Sequence, residues 1–158
     1  MMVRSVSLFL LVTAILCSAA SAAEELVMKS PQTVYVPVYS HVYGGPKSHQ
    51  LNLTTTLMVR NTDPANTIEV LSIAYHDSSG RLVKEFLKQP LLLSALSSKH
   101  VIVEEHDVSG GPGPSFLVRW SSTRPVNQPL IEGIMITTRS GLGISFVTQG
   151  VPVTIPSP

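Results

Sequence analysis

The chain has 158 residues, 11 Lys and Arg against 10 Asp and Glu, a formal net charge of +1 and a single cysteine. That balance argues against nucleic acid or an anionic membrane surface as a partner, since both require a clustered positive field. The length accommodates one hydrophobic core and leaves little room for a second.

The first element in chain order is a leader. Arg4 gives a positive start, residues 6–17 are almost continuously apolar, and Ala20-Ser21-Ala22 offers an Ala-x-Ala cleavage site. Residues 1–22 therefore read as a secretory signal peptide, too short in its apolar part to anchor in a bilayer. A lipid-modified Cys17 would want a small residue before it, where Leu16 stands. Cleavage removes Arg4 and Cys17, so the mature chain is expected to be neutral, cysteine-free and without a further membrane span. Its core must then hold without disulfides, and thiol catalysis is excluded. Residues 23–33 are expected to form a flexible segment and 34–155 a single domain.

Strand signals fill the rest. Val34, Val36 and Val38 alternate with Tyr35, Pro37 and Tyr39, and Leu53, Thr55, Leu57 and Val59 alternate with Thr54, Thr56 and Arg60. "NTDP" at 61–64 stops that strand. In 67–77, Ile68 and Val70 share one face while Leu71, Ile73 and Tyr75 share the other, so either both faces are covered or a bulge shifts the phase. "DSSG" at 77–80 reads as a hairpin turn with Gly80 left-handed. Residues 82–97 hold the best helical stretch, interrupted by Pro90. Strands are expected at 100–105, 116–120, 130–138 and 143–149, with 140–143 closing the last hairpin and a proline-rich tail suited to an edge. In the strand at 116–120, Phe116 and Trp120 share the face of Val118 and read as core fillers. Arg60 is expected to snorkel or pair with Glu69 or Glu132. The pattern predicts an all-β fold, an antiparallel β-sandwich of immunoglobulin-like type, with a small β-barrel as the alternative.

The segments "VYVPVYSHVY", "LMVRNTDP", "YHDSSGRLV", "VEEHDVSGGPG", "FLVRW" and "GISF" occur in an order that resembles a domain-of-unknown-function family of small exported bacterial proteins. The resemblance spans nearly all of the mature chain. It implies a bacterial source and a periplasmic or secreted location, and it carries no activity.

Candidate chemistry is sparse. In a strand over 100–106, His100, Ile102, Glu104 and His106 share one face, and Glu104 and His106 would stand about 6.6 Å apart. Two such side chains can reach one metal, but zinc wants three or four ligands. The rest would have to come from His41, His49, His76 or Asp77. The glycine-proline run 110–114 cannot cradle phosphate: Pro112 and Pro114 lack amide donors, and neither a lysine nor a helix follows. No Gly-x-Ser-x-Gly elbow is present. Tyr35, Tyr39, His41 and Tyr43 would line the outer face of one extended strand if the valines face the core. Tyrosine's apolar body and polar tip suit a contact surface. The expected function is thus a non-catalytic binding or structural module of the bacterial envelope, without cofactor. Its partner would be another envelope protein or an extracellular ligand. The alternative is a periplasmic metal-binding protein using Glu104 and His106.

Overall fold

The alternating residues become strands in the computed structural model, which describes residues 31–45, 47–138 and 143–155. In chain order these are β1 (Gln32–Pro37), β2 (His41–Gly44), β3 (His49–Asn52), β4 (Thr54–Arg60), β5 (Ile68–His76), β6 (Leu82–Glu85), β7 (Leu91–Leu93), β8 (Ser98–Val103), β9 (Ser115–Ser121), β10 (Leu130–Thr137), β11 (Ile144–Gln149) and β12 (Val151–Val153). The signal-peptide reading and most of the turn at 140–143 lie outside the described residues. No helix occurs among the described residues, and the stretch 82–97 holds two short strands with Pro90 just before β7.

One sheet runs β12-β1-β9-β5-β6, with β7 also paired to β5; a second runs β11-β10-β4-β8; β2 and β3 form a separate hairpin. Every pairing is antiparallel. The two sheets face each other across one core, so the fold is a β-sandwich and not a closed barrel. Val34, Val36, Ile68, Val70, Ile73, Tyr75, Phe116, Val118 and Trp120 fill it from the first sheet. Leu57, Val59, Val101, Val103, Ile131 and Met135 fill it from the second. Each such side chain contributes about 1.5–3 kcal/mol by leaving water. The Trp120 indole N–H donates to Gln32 Oε1 at 3.1 Å, so the ring is buried without stranding its one polar atom.

The four strands β4, β5, β8 and β9 pair as β4–β8 and β5–β9. That matches the B–E and C–F pairs of an immunoglobulin sandwich. The flanks differ: β1 lies beside β9 and β10 beside β4, where an immunoglobulin domain has its last and first strands respectively. The ambiguity in β5 is resolved as a bulge. Val70 pairs with Trp120 and Ser72 with Arg119, so the register slips past Leu71. The slip puts Ile68, Val70, Ile73 and Tyr75 all on the inner face.

Two boundaries differ from expectation. β1 starts inside the stretch expected to be flexible, because Gln32 and Thr33 already pair with Trp120 and Arg119. The extended run expected from Val34 to Tyr43 is two strands, broken at 38–40 where Val38 N–H donates to the Pro114 carbonyl. Between β11 and β12 the chain crosses from the second sheet to the first at Gly150, whose N–H donates to the Ile131 carbonyl at 2.8 Å. A Cβ there would lie 2.5 Å from Val34 Cγ1 and 3.0 Å from the Ile131 oxygen, so the crossing requires glycine. β12 then sits at the edge of its sheet, as Pro152 demands.

Candidate binding surface

The break at 38–40 distributes the four residues expected to form one ladder. Tyr35 stands on the outer face of the first sheet, in a row with Val151 on one side and Leu117 on the other. Tyr39 lies past the end of β1, where its ring meets Phe146 edge-on at 5.7 Å and its carbonyl accepts from Thr55 Oγ1 at 3.0 Å. Tyr43 sits on the β2–β3 hairpin opposite Gln50. All three tyrosines are exposed: 37% for Tyr35, 40% for Tyr39 and 60% for Tyr43. His41 departs from the expectation, since it is buried at 7% exposure and offers no outward contact face. The hairpin turns its ring inward, between Ser40 and Tyr43.

That position gives His41 a different capability. The Ser40 hydroxyl donates to the Gly111 carbonyl, which can only accept, and so commits its one proton. Its oxygen then accepts from Nδ1–H of His41 at 3.0 Å, which leaves Nε2 as the acceptor for the Tyr43 hydroxyl at 3.2 Å. The rings of His41 and Tyr43 are also perpendicular, 5.3 Å apart. A directed chain therefore links the exposed Tyr43 to the glycine-proline loop. Residue types alone could not announce it, because Gly111 lies far along the sequence.

The loop itself is a hub of carbonyl acceptors. Ser78 N–H and Ser78 Oγ both donate to the Gly110 carbonyl, at 2.8 and 2.9 Å, and Ser40 and Val38 take those of Gly111 and Pro114. The amides of Gly111 and Gly113 are already engaged, on the Val108 carbonyl and on Ser78 Oγ of the β5–β6 turn. A loop that turns its carbonyls toward its neighbours has the wrong polarity for phosphate. Gly110 is fixed by packing, since a Cβ there would lie 2.2 Å from Tyr75 Oη and 2.7 Å from Pro114 Cβ. Burial, with the nearby Asp107 charge, pushes the Tyr75 hydroxyl up to about 12.

Glu104 and His106 do not share a strand face. β8 ends at Val103, and the Asp107 N–H donates to the Glu104 carbonyl at 2.9 Å, closing a turn in which Glu104 and His106 are both exposed. Asp107 is engaged by Ser109, whose hydroxyl at 2.6 Å holds the carboxyl below its ordinary range. Among the described residues, no group of three or more His, Cys, Asp or Glu side chains could hold a metal ion. The metal alternative on Glu104 and His106 therefore gains no third ligand there.

A second polar cluster, read from sequence only as a strand stop, proves to be a buried knot. Asn61 Nδ2 donates to the carbonyls of Asn66, Leu93 and Ser94, between 2.8 and 3.1 Å. The Asp63 carboxylate accepts from the amides of Ala65, Asn66 and Asn127, which hold it below the usual carboxylate range. Beside the knot, Ala65, Asn66, Thr67, Thr123 and Arg124 line a shallow depression of about 300 Å³. The Asp63 oxygens are engaged in these bonds, and the cluster is structural. Of the arginines, Arg60 Nε meets Glu132 at 3.3 Å, one of the two partners expected for it.

No curated protein matches the chain. Among solved structures, the crystal structure of Thermotoga maritima 1070 is similar at 13% identity, over 78% of this chain and 96% of that one, with a TM-score of 0.43. The family described as "Protein of unknown function (DUF3124)" matches residues 31–153, the span from the residue before β1 to the end of β12. This chain belongs to that family.

Proposed function

We propose that the chain is a small exported bacterial protein whose β-sandwich works by binding, without bond chemistry, to another envelope protein or an extracellular ligand. The observation that carries the reading is the exposure of Tyr35, Tyr39 and Tyr43, all within residues 35–43, beside a core already filled by other side chains. Exposed tyrosines supply apolar area with a hydroxyl tip at low entropic cost, which suits a contact surface. In this reading Tyr39 and Tyr43 make the contact, Tyr35 extends it, and His41 positions Tyr43 from below. The leader-like residues 1–22 support export.

The test is a Tyr39→Ser/Tyr43→Ser double variant, compared with wild type by native mass spectrometry of protein taken from its own envelope. The variant is expected to melt within a few degrees of wild type and to lose the partner that wild type holds. A collapse of the melting transition would sink the reading by showing that both rings are core. Retention of the partner by a folded variant would sink it equally. The same spectra read the N-terminus, expected at Ala23.

A further inference from the structure

The two sheets end on β12, on β6 with β7, on β8 and on β11, and all but the last carry a device that discourages further pairing. β12 has three residues and contains Pro152; β6 has four and carries Lys84 and Glu85; β7 has three; β8 carries Lys99 and His100. Short strands, proline and charge protect a sheet edge from adding a foreign strand. β11, with the sequence ISFVTQ, has six residues, no charge and no proline. Its register with β10 runs without a bulge from Glu132↔Gln149 to Thr137↔Ile144, and among the described residues no strand lies beyond it.

The outward residues of β11 continue an apolar surface. Val147, 55% exposed, stands opposite Ile134; Ile134 stands opposite Thr56, and Thr56 opposite the exposed Ile102. Ile136, 45% exposed, follows on β10. A strand added at this edge would gain backbone hydrogen bonds and an apolar neighbour row together.

We propose that β11 pairs antiparallel with β11 of a second copy of this chain, joining the two four-stranded sheets into one. A two-fold axis at Val147 sets Val147 against its own copy, Phe146 against Thr148 and Ser145 against Gln149. The centre is then apolar, the flanks are polar, and no charge meets its like. The same operation supplies an uncharged strand to an uncharged edge, a match that a partner of arbitrary sequence would not guarantee. A formal charge of only +1 leaves little long-range repulsion between copies. The paired edge adjoins the tyrosine surface on its inner side, since Tyr39 meets Phe146 of the same strand, while Val147 faces outward and Tyr43 lies on the separate β2–β3 hairpin.

Sedimentation velocity over a range of concentrations, with cysteine cross-linking in a Cys17→Ser background, tests the pairing. Residues directly opposed in an antiparallel pair have Cα atoms about 4.5–5.5 Å apart, within disulfide reach. Val147→Cys is expected to form a covalent dimer under mild oxidant, and Ile102→Cys, on the protected β8 edge, is not. Val147→Lys is expected to raise the dissociation constant about tenfold or more by setting like charges in opposition, while Val147→Thr keeps the dimer. A monomer at every concentration overturns the proposal, whether the edge then meets solvent or a strand of another protein. Equal cross-linking of both cysteine variants overturns it too.

Discussion

Tyr75 and Tyr43 both bear on the 110–114 loop, but from opposite sides of the burial scale. Tyr75 is 2% exposed, lies directly against Gly110, and packs its tilted ring 5.0 Å, centroid to centroid, from Phe116, which in turn meets Phe86. Tyr43 is exposed and reaches the loop only through His41 and Ser40. Residue type does not separate the two; register does. Without the slip past Leu71, continued alternation from Ile68 and Val70 would turn Ser72, Ala74 and His76 inward and put Tyr75 in solvent. One extra residue in β5 thus makes Tyr75 core, while the exposure of Tyr35 and Tyr43 is set separately, by the pairings of β1 and of the β2–β3 hairpin.

The contrast can be broken most directly by truncation. Tyr75→Ala should lose about 3–5 kcal/mol in urea unfolding, the usual loss for emptying a buried aromatic site. Tyr43→Ala should stay within about 0.5 kcal/mol of wild type, as exposed positions do. Comparable losses at the two sites would mean that the hairpin is part of the core.

A smaller effect isolates the Tyr75 hydroxyl. Its folded-state value of about 12 lies above the ordinary 10.0, so the folded chain keeps the proton over a range where the unfolded chain gives it up. The associated stability is complete below about pH 10 and falls as pH rises toward 12. Tyr75→Phe lacks the titrating group, so unfolding free energies measured from pH 8 to 11.5 should decline less steeply for the variant. Parallel declines would show that the hydroxyl is not buried as described.

How much of this was legible beforehand depends on the range of the deciding contact. Strand alternation, the core placement of Phe116, Val118 and Trp120, and the left-handed Gly80 follow from neighbours in sequence, and the structure has them. The β5 bulge was legible only as one of two options, because its register is set by β9, far along the chain. The break at 38–40 was hidden: valine and tyrosine alternate straight through it, yet the Pro114 carbonyl and the Thr55 hydroxyl fix the backbone there. His41 went inward for the same reason. The strand expected over 100–105 stops at Val103, where a turn bond from Asp107 outcompetes further pairing. The apolar outer row of Ile102, Ile134, Ile136 and Val147 comes from three strands, and no single stretch of sequence displays it.

The smallest effect bears on whether the two tyrosines are linked to the loop in the same sense. If Ser40 donates to Gly111, neutral His41 must carry its proton on Nδ1 and leave Nε2 bare for Tyr43. Nitrogen-15 NMR of the imidazole reads that tautomer directly. Tyr43→Phe keeps the ring against His41 but removes the donor, so it should cost about 0.5 kcal/mol or less, since water can replace an exposed hydroxyl. It should nonetheless move the Nε2 resonance while leaving Nδ1 protonated. A proton found on Nε2 in wild type would reverse the chain: Ser40 would donate to His41, the Gly111 carbonyl would lose that donor, and Tyr43 would be uncoupled from the loop. Tyr75 would then be the one tyrosine tied to the 110–114 loop, and the hairpin would owe its position to backbone pairing and to the packing of Val42 on the core.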